Sequence, residues 1–474
     1  MKKSILSIFL SIVVIFSMLP ASMAAERLHY RDENGNIKYC TDYEIIDDKH
    51  TNFNASKDMW LVFDGKDVKL PRISFNGSRI INLIIKDDQK ITVVGGINLR
   101  YGTLVIYGQE NGTGELKVLG SGNFAGIGGN SFDSIVINGG KITASSERGA
   151  GIGSAYGNVI SECEDIIING GNIKASSESG AGIGAGQGDR FYTSCGNITI
   201  ANGTVDAESI DGAAIGTGCA GGSDSACGNI HIKSGTVNAK ATGYGAAIGT
   251  GFAGSANTIC GNITIDGGKV TASAKDGAGI GLGWSYRDTR TGNITINGGN
   301  VIALSINGKG IGKANFNSDW KIDTISASSG MLIKNGDSAE TAASVETLKQ
   351  ADGKYVHVWK LQDAGGIPNN KPNGTKIIKL LRGEKSFIVR WKKQSAKIND
   401  SRITGYQIQY ATNKKFTKGK KTVTVKGYNK SKKTIKKLKS NKKYYVRIRT
   451  CKSINGVITN SNWSKSRSVR TRVD

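Results

Sequence analysis

The acids and histidines of this 474-residue chain are spread thin for acid–base chemistry. Cleaving a polysaccharide takes paired carboxylates, or carboxylates holding calcium beside a basic residue. Here Asp165, Asp211, Asp266 and Asp276 fall at different positions of an internal repeat, and His29, His50, His231 and His357 lie far apart. They read as solvated surface carboxylates and a structural His231. No Gly-x-Ser-x-Gly elbow, His-Glu-x-x-His or Asp-x-Asp motif occurs. Glycine-rich runs abound, but none leads into the Gly-Lys-Ser/Thr of a phosphate loop. The sequence therefore nominates no catalytic residue, no metal ligand set, no cofactor and no nucleotide.

Aromatic residues are better placed. Tyr156, Phe252 and Trp284 each fall four residues after a repeat isoleucine, and Phe191, Tyr192, Tyr244, Tyr286 and Phe316 lie in the same variable loops. If the loops are in register, several rings share one flank. A ring packs against the apolar face of a sugar, and Gln187, Asn315, Arg287 and Arg290 nearby suit its hydroxyls or carboxylates. Tyr156, Tyr192, Phe252, Trp284, Tyr286 and Arg287 are the candidate glycan-binding residues. The competing reading is that these rings only cover their own loops. Cys163, Cys195, Cys227 and Cys260 also share a position, five before the second isoleucine of their strand. Stacked, they form either the disulfides Cys163–Cys195 and Cys227–Cys260 or a column of buried free thiols. The sequence leaves both open.

The elements that must hold these residues repeat. The core isoleucines of a Gly-Ala-Gly-Ile-Gly-like phrase are Ile127, Ile152, Ile183, Ile215, Ile248, Ile280 and Ile311, spaced by 25, 31, 32, 33, 32 and 31. A second phrase, Ile198-Thr199-Ile200-Ala201-Asn202-Gly203 in one copy, keeps step with it. Alternation puts Ile198 and Ile200 on one side and Thr199 on the other. Gly140, Gly171, Gly203, Gly235, Gly268 and Gly299 occupy one corner position, which predicts positive φ or a corner too tight for a Cβ. No copy holds a helical run. The pattern predicts a parallel β-helix with one coil per repeat, favoured over a β-sandwich or propeller. Asn197, Asn229, Asn262 and Asn293 then stack into an amide ladder.

The ends differ from the middle. Residues 1–24 read as a secretory signal: Lys2 and Lys3, an apolar run from Ile5 to Leu19, then Ser22-Met23-Ala24. This predicts an exported protein, secreted or at the cell surface, without a transmembrane span. Residues 25–80 read as an N-terminal cap with a hairpin at Asn34-Gly35. Residues 81–361 read as the β-helix with its C-terminal cap, a short amphipathic helix from Ser338 to Lys349 (Ala342, Val345 and Leu348 on one side) and a strand from Tyr355 to Leu361. Residues 362–374, with Pro368 and Pro372, read as a linker. The last hundred residues carry 30 Lys/Arg against three acids, net +27 where the whole chain is +25. Such a charge asks for a polyanionic partner.

Within residues 375–474, Trp391 in Phe387-Ile388-Val389-Arg390-Trp391, the run Gly405 to Tyr410, and Leu438 followed by Tyr444 resemble the strand-B tryptophan, strand C and tyrosine corner of fibronectin type III domains. Trp463-Ser464-Lys465 resembles the start of strand G. The resemblance implies a β-sandwich serving as spacer or binding module, with no catalysis. Leu83 to Asp88, Gly95-Gly96-Ile97 and Leu104 to Gly114 are similar to the opening of glycine-rich, pectin-lyase-type β-helix proteins exported by Firmicutes. The expectation is an all-β chain, a parallel β-helix followed by a fibronectin type III-like sandwich. Its expected function is a noncatalytic surface protein that binds extracellular glycans or host and matrix surfaces and is tethered by the basic module to an anionic cell-wall polymer. A polysaccharide lyase or hydrolase, and a structural spacer or biofilm component, are the rival readings.

Overall fold

A computed structural model describes residues 27–314, 321–360, 372, 374–393, 403–454 and 457–473. Residues 1–24, read above as a secretory signal, Asn315, Phe316, Leu361 and most of residues 362–374 lie outside the described residues. The chain divides into two compact units between residues 361 and 362.

The first unit is a right-through array of parallel coils. One coil consists of Ile215–Gly216, Ser225–Cys227, Ile230–Ile232 and Thr236–Ala241. Each strand pairs in parallel with its equivalent one coil on: Ile215 with Ile248, Cys227 with Cys260, Ile230 with Ile263 and Val237 with Val270. The fourth strand of each coil builds a separate sheet from the other three. Alternation aims Ile230, Ile232, Val237 and Ala239 inward, and all are buried in one continuous core. Burying each isoleucine contributes about 1.5–3 kcal/mol, so the array is held mainly by this repeated column.

Two glycine columns make the coils stackable. The corner glycines, Gly203 among them at φ +105°, have the positive φ that the sequence predicts. At the glycine following each core isoleucine the backbone is again left-handed, +138° at Gly216. A Cβ built there would lie 1.9 Å from the carbonyl oxygen of Gly249 in the next coil. Only glycine permits that approach.

The amide ladder forms as expected. The Asp165 carboxylate accepts from the backbone N–H and Nδ2 of Asn197. The Oδ1 of Asn197 accepts both groups of Asn229, and the Oδ1 of Asn229 accepts both of Asn262, at 2.9–3.1 Å. Asn262 Oδ1 takes the N–H of Asn293, whose own Oδ1 accepts from Thr324.

The ends depart from expectation. Parallel coiling already begins with Glu44–Ile46 against Met59–Phe63, inside the segment read as a cap. The hairpin at Asn34-Gly35 is present, pairing Leu28–Arg31 with Ile37–Cys40. It lies on the outer face of the first coils, where Leu28 and Cys40 pack on Val62 and Ile84 beside Tyr30, Trp60 and Tyr107. At the other end Tyr355–Lys360 runs antiparallel to Asn300–Ser305, followed by Met331–Gly336 and Ala343–Val345. The helix expected over Ser338–Lys349 does not form. Ser338 and Thr341 bond each other's backbone N–H, and Ala343–Val345 completes the sheet edge left open by Met331–Gly336. A helix this short has too little to bury to compete with that edge. Only a 3₁₀ turn, Leu348–Gln350, remains, with Leu348 in the core.

The second unit is a two-sheet sandwich. Ile377–Gly383, Ser386–Trp391 and Lys432–Ile435 make one sheet, and strands led by Gly405–Ala411 and Lys443–Ile454 make the other. Phe387, Trp391, Tyr406, Ile408, Val446 and Ile448 fill its core. The Tyr444 hydroxyl accepts the Lys439 N–H at 3.1 Å, as the tyrosine-corner resemblance implies. Trp463 does not start the last strand, which is Arg467–Arg470. Ser461 and Ser464 hydroxyls accept the N–H groups of Thr450 and Ile448, and this lays Trp463 over the guanidinium groups of Arg447 and Arg449 instead.

Candidate functional site

The loops after the core isoleucines are in register. Gly188, Ala220, Ala253 and Ser285 form isolated parallel bridges from coil to coil. The residue before each bridge belongs to one column: Gln187, Cys219, Phe252 and Trp284, with Tyr156 one coil earlier. Phe252 and Trp284 stack at 5.6 Å and 21°. Tyr244 joins them, 5.1 Å from Phe252 and 5.3 Å from Trp284, because Trp284 N–H bonds the Tyr244 carbonyl. Tyr286 meets Trp284 edge-on at 4.4 Å, held by its N–H on the Ala253 carbonyl. The result is a four-ring ridge whose outer rings, Tyr286 and Tyr244, are 65% and 44% exposed.

Of the other candidates, Arg287 borders the ridge. It is exposed at a turn closed by Ser285, whose hydroxyl accepts the Arg287 N–H and donates to its carbonyl. Arg290 pairs with Asp288 at 3.0 Å. Tyr156 stays apart. Gln187 and Cys219 separate it from Phe252 in the column, its hydroxyl bonds Asp189, and Arg148 stacks on its ring. Burial and that carboxylate push its phenol pKa up. Tyr156 is buried and lies outside the ridge. Asp211 lies under the ridge: its carbonyl accepts the Phe252 N–H, and burial raises its carboxyl pKa.

Tyr192 belongs elsewhere. It lines a groove of about 700 Å³ with Tyr101, Asp133, Glu162, Glu164 and Asp165, floored in part by the cysteine column. Glu162 and Glu164 both face out because they alternate with buried Ser161 and Cys163. The sequence contained this signal as acids flanking a repeat cysteine, but Tyr101 and Asp133 reach the groove from other strands. Backbone geometry singles out Tyr101, which has φ +69°, a conformation rare for a bulky side chain. His231 and Asp266 pair at 2.6 Å on another strand, where bonds from Asn297 and His231 hold the Asp266 carboxyl low. Among the described residues no group of three or more His, Cys, Asp or Glu is arranged to hold a metal.

In the structure the seven cysteines are free thiols, all buried. Cys163, Cys195, Cys227 and Cys260 stand directly across from one another in successive coils. Bonding between the thiols of each pair, Cys163 with Cys195 and Cys227 with Cys260, together with burial, raises the pKa of Cys195 and Cys227 well above that of an ordinary thiol. Protonated thiols are poor nucleophiles, and the four side chains pack in the core of the array.

In the second unit Arg447 gives Nε and Nη2 to the Gln409 side-chain oxygen, and Arg449 does the same to Gln407. Phe416, Arg447, Trp463 and Arg449 form an alternating stack.

The beta helix repeat family matches residues 135–156, 166–187, 198–219, 230–252 and 263–284, and the fibronectin type III domain family matches residues 371–468. Among solved structures, the chain is similar to the third fibronectin III domain of the human KIAA0343 protein, at 18% identity over 22% of this chain and 80% of that one, with a TM-score of 0.17. It is similar to the fibronectin type-III domain of human fibronectin type III domain containing protein 3, at 22% identity over 22% and 87% of the two chains, TM-score 0.17. A beta-1,2-glucanase from Parabacteroides distasonis shares 14% identity over 30% of this chain and 25% of its own, TM-score 0.17. No curated protein matches. Among the described residues no helix is long and apolar enough to cross a membrane.

Proposed function

We propose that this is a noncatalytic protein exported to the surface of a Gram-positive-type cell. Its β-helix binds extracellular glycans, including those of host or matrix surfaces, and its basic terminal domain tethers it to an anionic cell-wall polymer. The observation that carries the glycan reading is the ridge of Tyr244, Phe252, Trp284 and Tyr286, whose outer rings face solvent. An aromatic ridge this exposed does little for stability and offers consecutive faces to consecutive sugars. Arg287 at its border supplies hydrogen bonds to hydroxyls or carboxylates.

The test removes the outer rings and keeps the stacked pair. Tyr244→Ala with Tyr286→Ala should weaken glycan-array binding roughly 10- to 100-fold, since each ring contact is worth about 0.5–1.5 kcal/mol. Circular dichroism should not change. Full binding in this double variant would remove the ridge from consideration, and an array silent for the unmodified protein would favour the spacer reading.

One observation supports an enzyme instead: the groove where Tyr101 and Tyr192 flank Asp133, Glu162, Glu164 and Asp165. Under that reading the protein releases unsaturated or reducing sugars from a polysaccharide, and Glu162→Gln abolishes the release. A panel of polysaccharides yielding no such products leaves the binding reading in place.

A further inference from the structure

We infer that the terminal domain grips its polyanion with one face, the outer side of the sheet built by Ile377–Gly383, Ser386–Trp391 and Lys432–Ile435. The occupant is a single-stranded polymer of polyol units joined by phosphodiesters. This rests on the tether reading above and narrows it to a surface and a chemistry.

Five cations meet on this face. In the middle strand Phe387, Val389 and Trp391 are buried while Arg390 is exposed, so alternation turns Arg390 and the following Lys392 outward. The register sets Lys379 directly across from Arg390 on one side and Lys432 on the other. Lys392 in turn donates its N–H to the carbonyl of Lys376. Residues directly opposite have Cβ atoms about 4.5–5.5 Å apart, where like charges oppose folding. Among the described residues none of the five has an ion-pair partner, since every ion pair there lies at or before Arg290. The sandwich does not need this arrangement, so its use is external.

The other sheet is a poorer candidate. Its guanidinium groups at Arg447 and Arg449 are already engaged by Gln409, Gln407, Trp463 and Phe416.

The geometry also selects the polymer. Arg390 and Lys392 are two residues apart on one strand, roughly 6.6 Å, so an extended chain along the strand meets a cation at each step. A phosphodiester shares its charge between two free oxygens and can take Arg390 and a cross-strand lysine together. Ile378, 57% exposed, and the half-exposed Leu381 and Ile388 offer aliphatic contact to polyol carbons. The sheet presents no aromatic ring on which a nucleobase would stack.

The experiment uses the full chain and purified poly(glycerol phosphate) as the probe, with poly-glutamate and single-stranded DNA of equal charge as the other arms. Lys379→Gln/Arg390→Gln/Lys432→Gln is compared with Lys414→Gln/Lys415→Gln/Lys420→Gln, an equal loss of charge outside this sheet. The face variant should bind poly(glycerol phosphate) at least 10-fold more weakly at 0.15 M salt, with a salt slope shallower by about two to three. The control should lose less than 3-fold. Thermal stability of the face variant should hold or rise, because repulsion is relieved. Equal losses in both variants overturn the face assignment and leave the tether standing. Preference for poly-glutamate or DNA overturns the phosphodiester assignment. No binding of poly(glycerol phosphate) by the unmodified chain overturns the inference and the tether together.

Discussion

Replacing Gly216 by alanine will destabilise the array by more than about 3 kcal/mol, although it adds one methyl group. Two costs combine. The backbone at φ +138° disfavours any L side chain, and the new Cβ would stand 1.9 Å from the Gly249 carbonyl oxygen. That oxygen cannot retreat, because it accepts the Thr217 N–H. Relief requires separating two coils, which exposes Ile215 and Ile248 together. Gly112→Ala isolates the first cost: Gly112 is also left-handed, at φ +63°, but nothing lies within 4 Å of its added Cβ. It should lose only about 1–2 kcal/mol. Denaturant unfolding of both variants checks the pair. Similar losses would mean that coil-to-coil contact at Gly216 is looser than described.

Ile200→Asp should be costlier still. Ile200 is fully buried and touches only core. A carboxylate there has no partner, and burying it unpaired costs several kcal/mol, or else the group takes up a proton and still leaves a polar hole. Ile200→Val, which deletes one methylene, should cost about 0.5–1.5 kcal/mol. Since each coil touches only its neighbours, hydrogen exchange in Ile200→Asp should rise first around Ile168 and Ile232, its partners above and below. Thermal stability unchanged from the parent would contradict the inward assignment of Ile200.

What the sequence made legible was whatever repeats. The isoleucine and glycine columns, the Asn197–Asn293 ladder and the cysteine register all follow from period alone, because stacking turns equal spacing into contact. The first coils were illegible for the same reason: Glu44–Ile46 and Met59–Phe63 carry no glycine phrase, so nothing marks them as members of the array. The ridge was half legible. Position marks Phe252 and Trp284, which join the ridge, and equally Tyr156, which does not, since period cannot tell that Gln187 and Cys219 stand between. Tyr244 enters through a backbone bond from a different turn, and Tyr192 faces another side of the coil. In the sandwich the core tryptophan and the tyrosine corner were readable, while Trp463 was misplaced because side-chain hydroxyls, not strand pairing, position it.

The antiparallel strand Tyr355–Lys360 settles where the protein stops growing. An unprotected last coil would be a template: its parallel edge would accept the first coil of a second molecule in the same direction, and that one a third, without closure. Tyr355–Lys360 reverses direction on the last coil, Met331–Gly336 and Ala343–Val345 each reverse it again, and the edge that remains, Ala343–Val345, runs opposite to the coils, which removes the match between the two ends. Along that sheet, three alternating strands stand between the array and end-to-end growth.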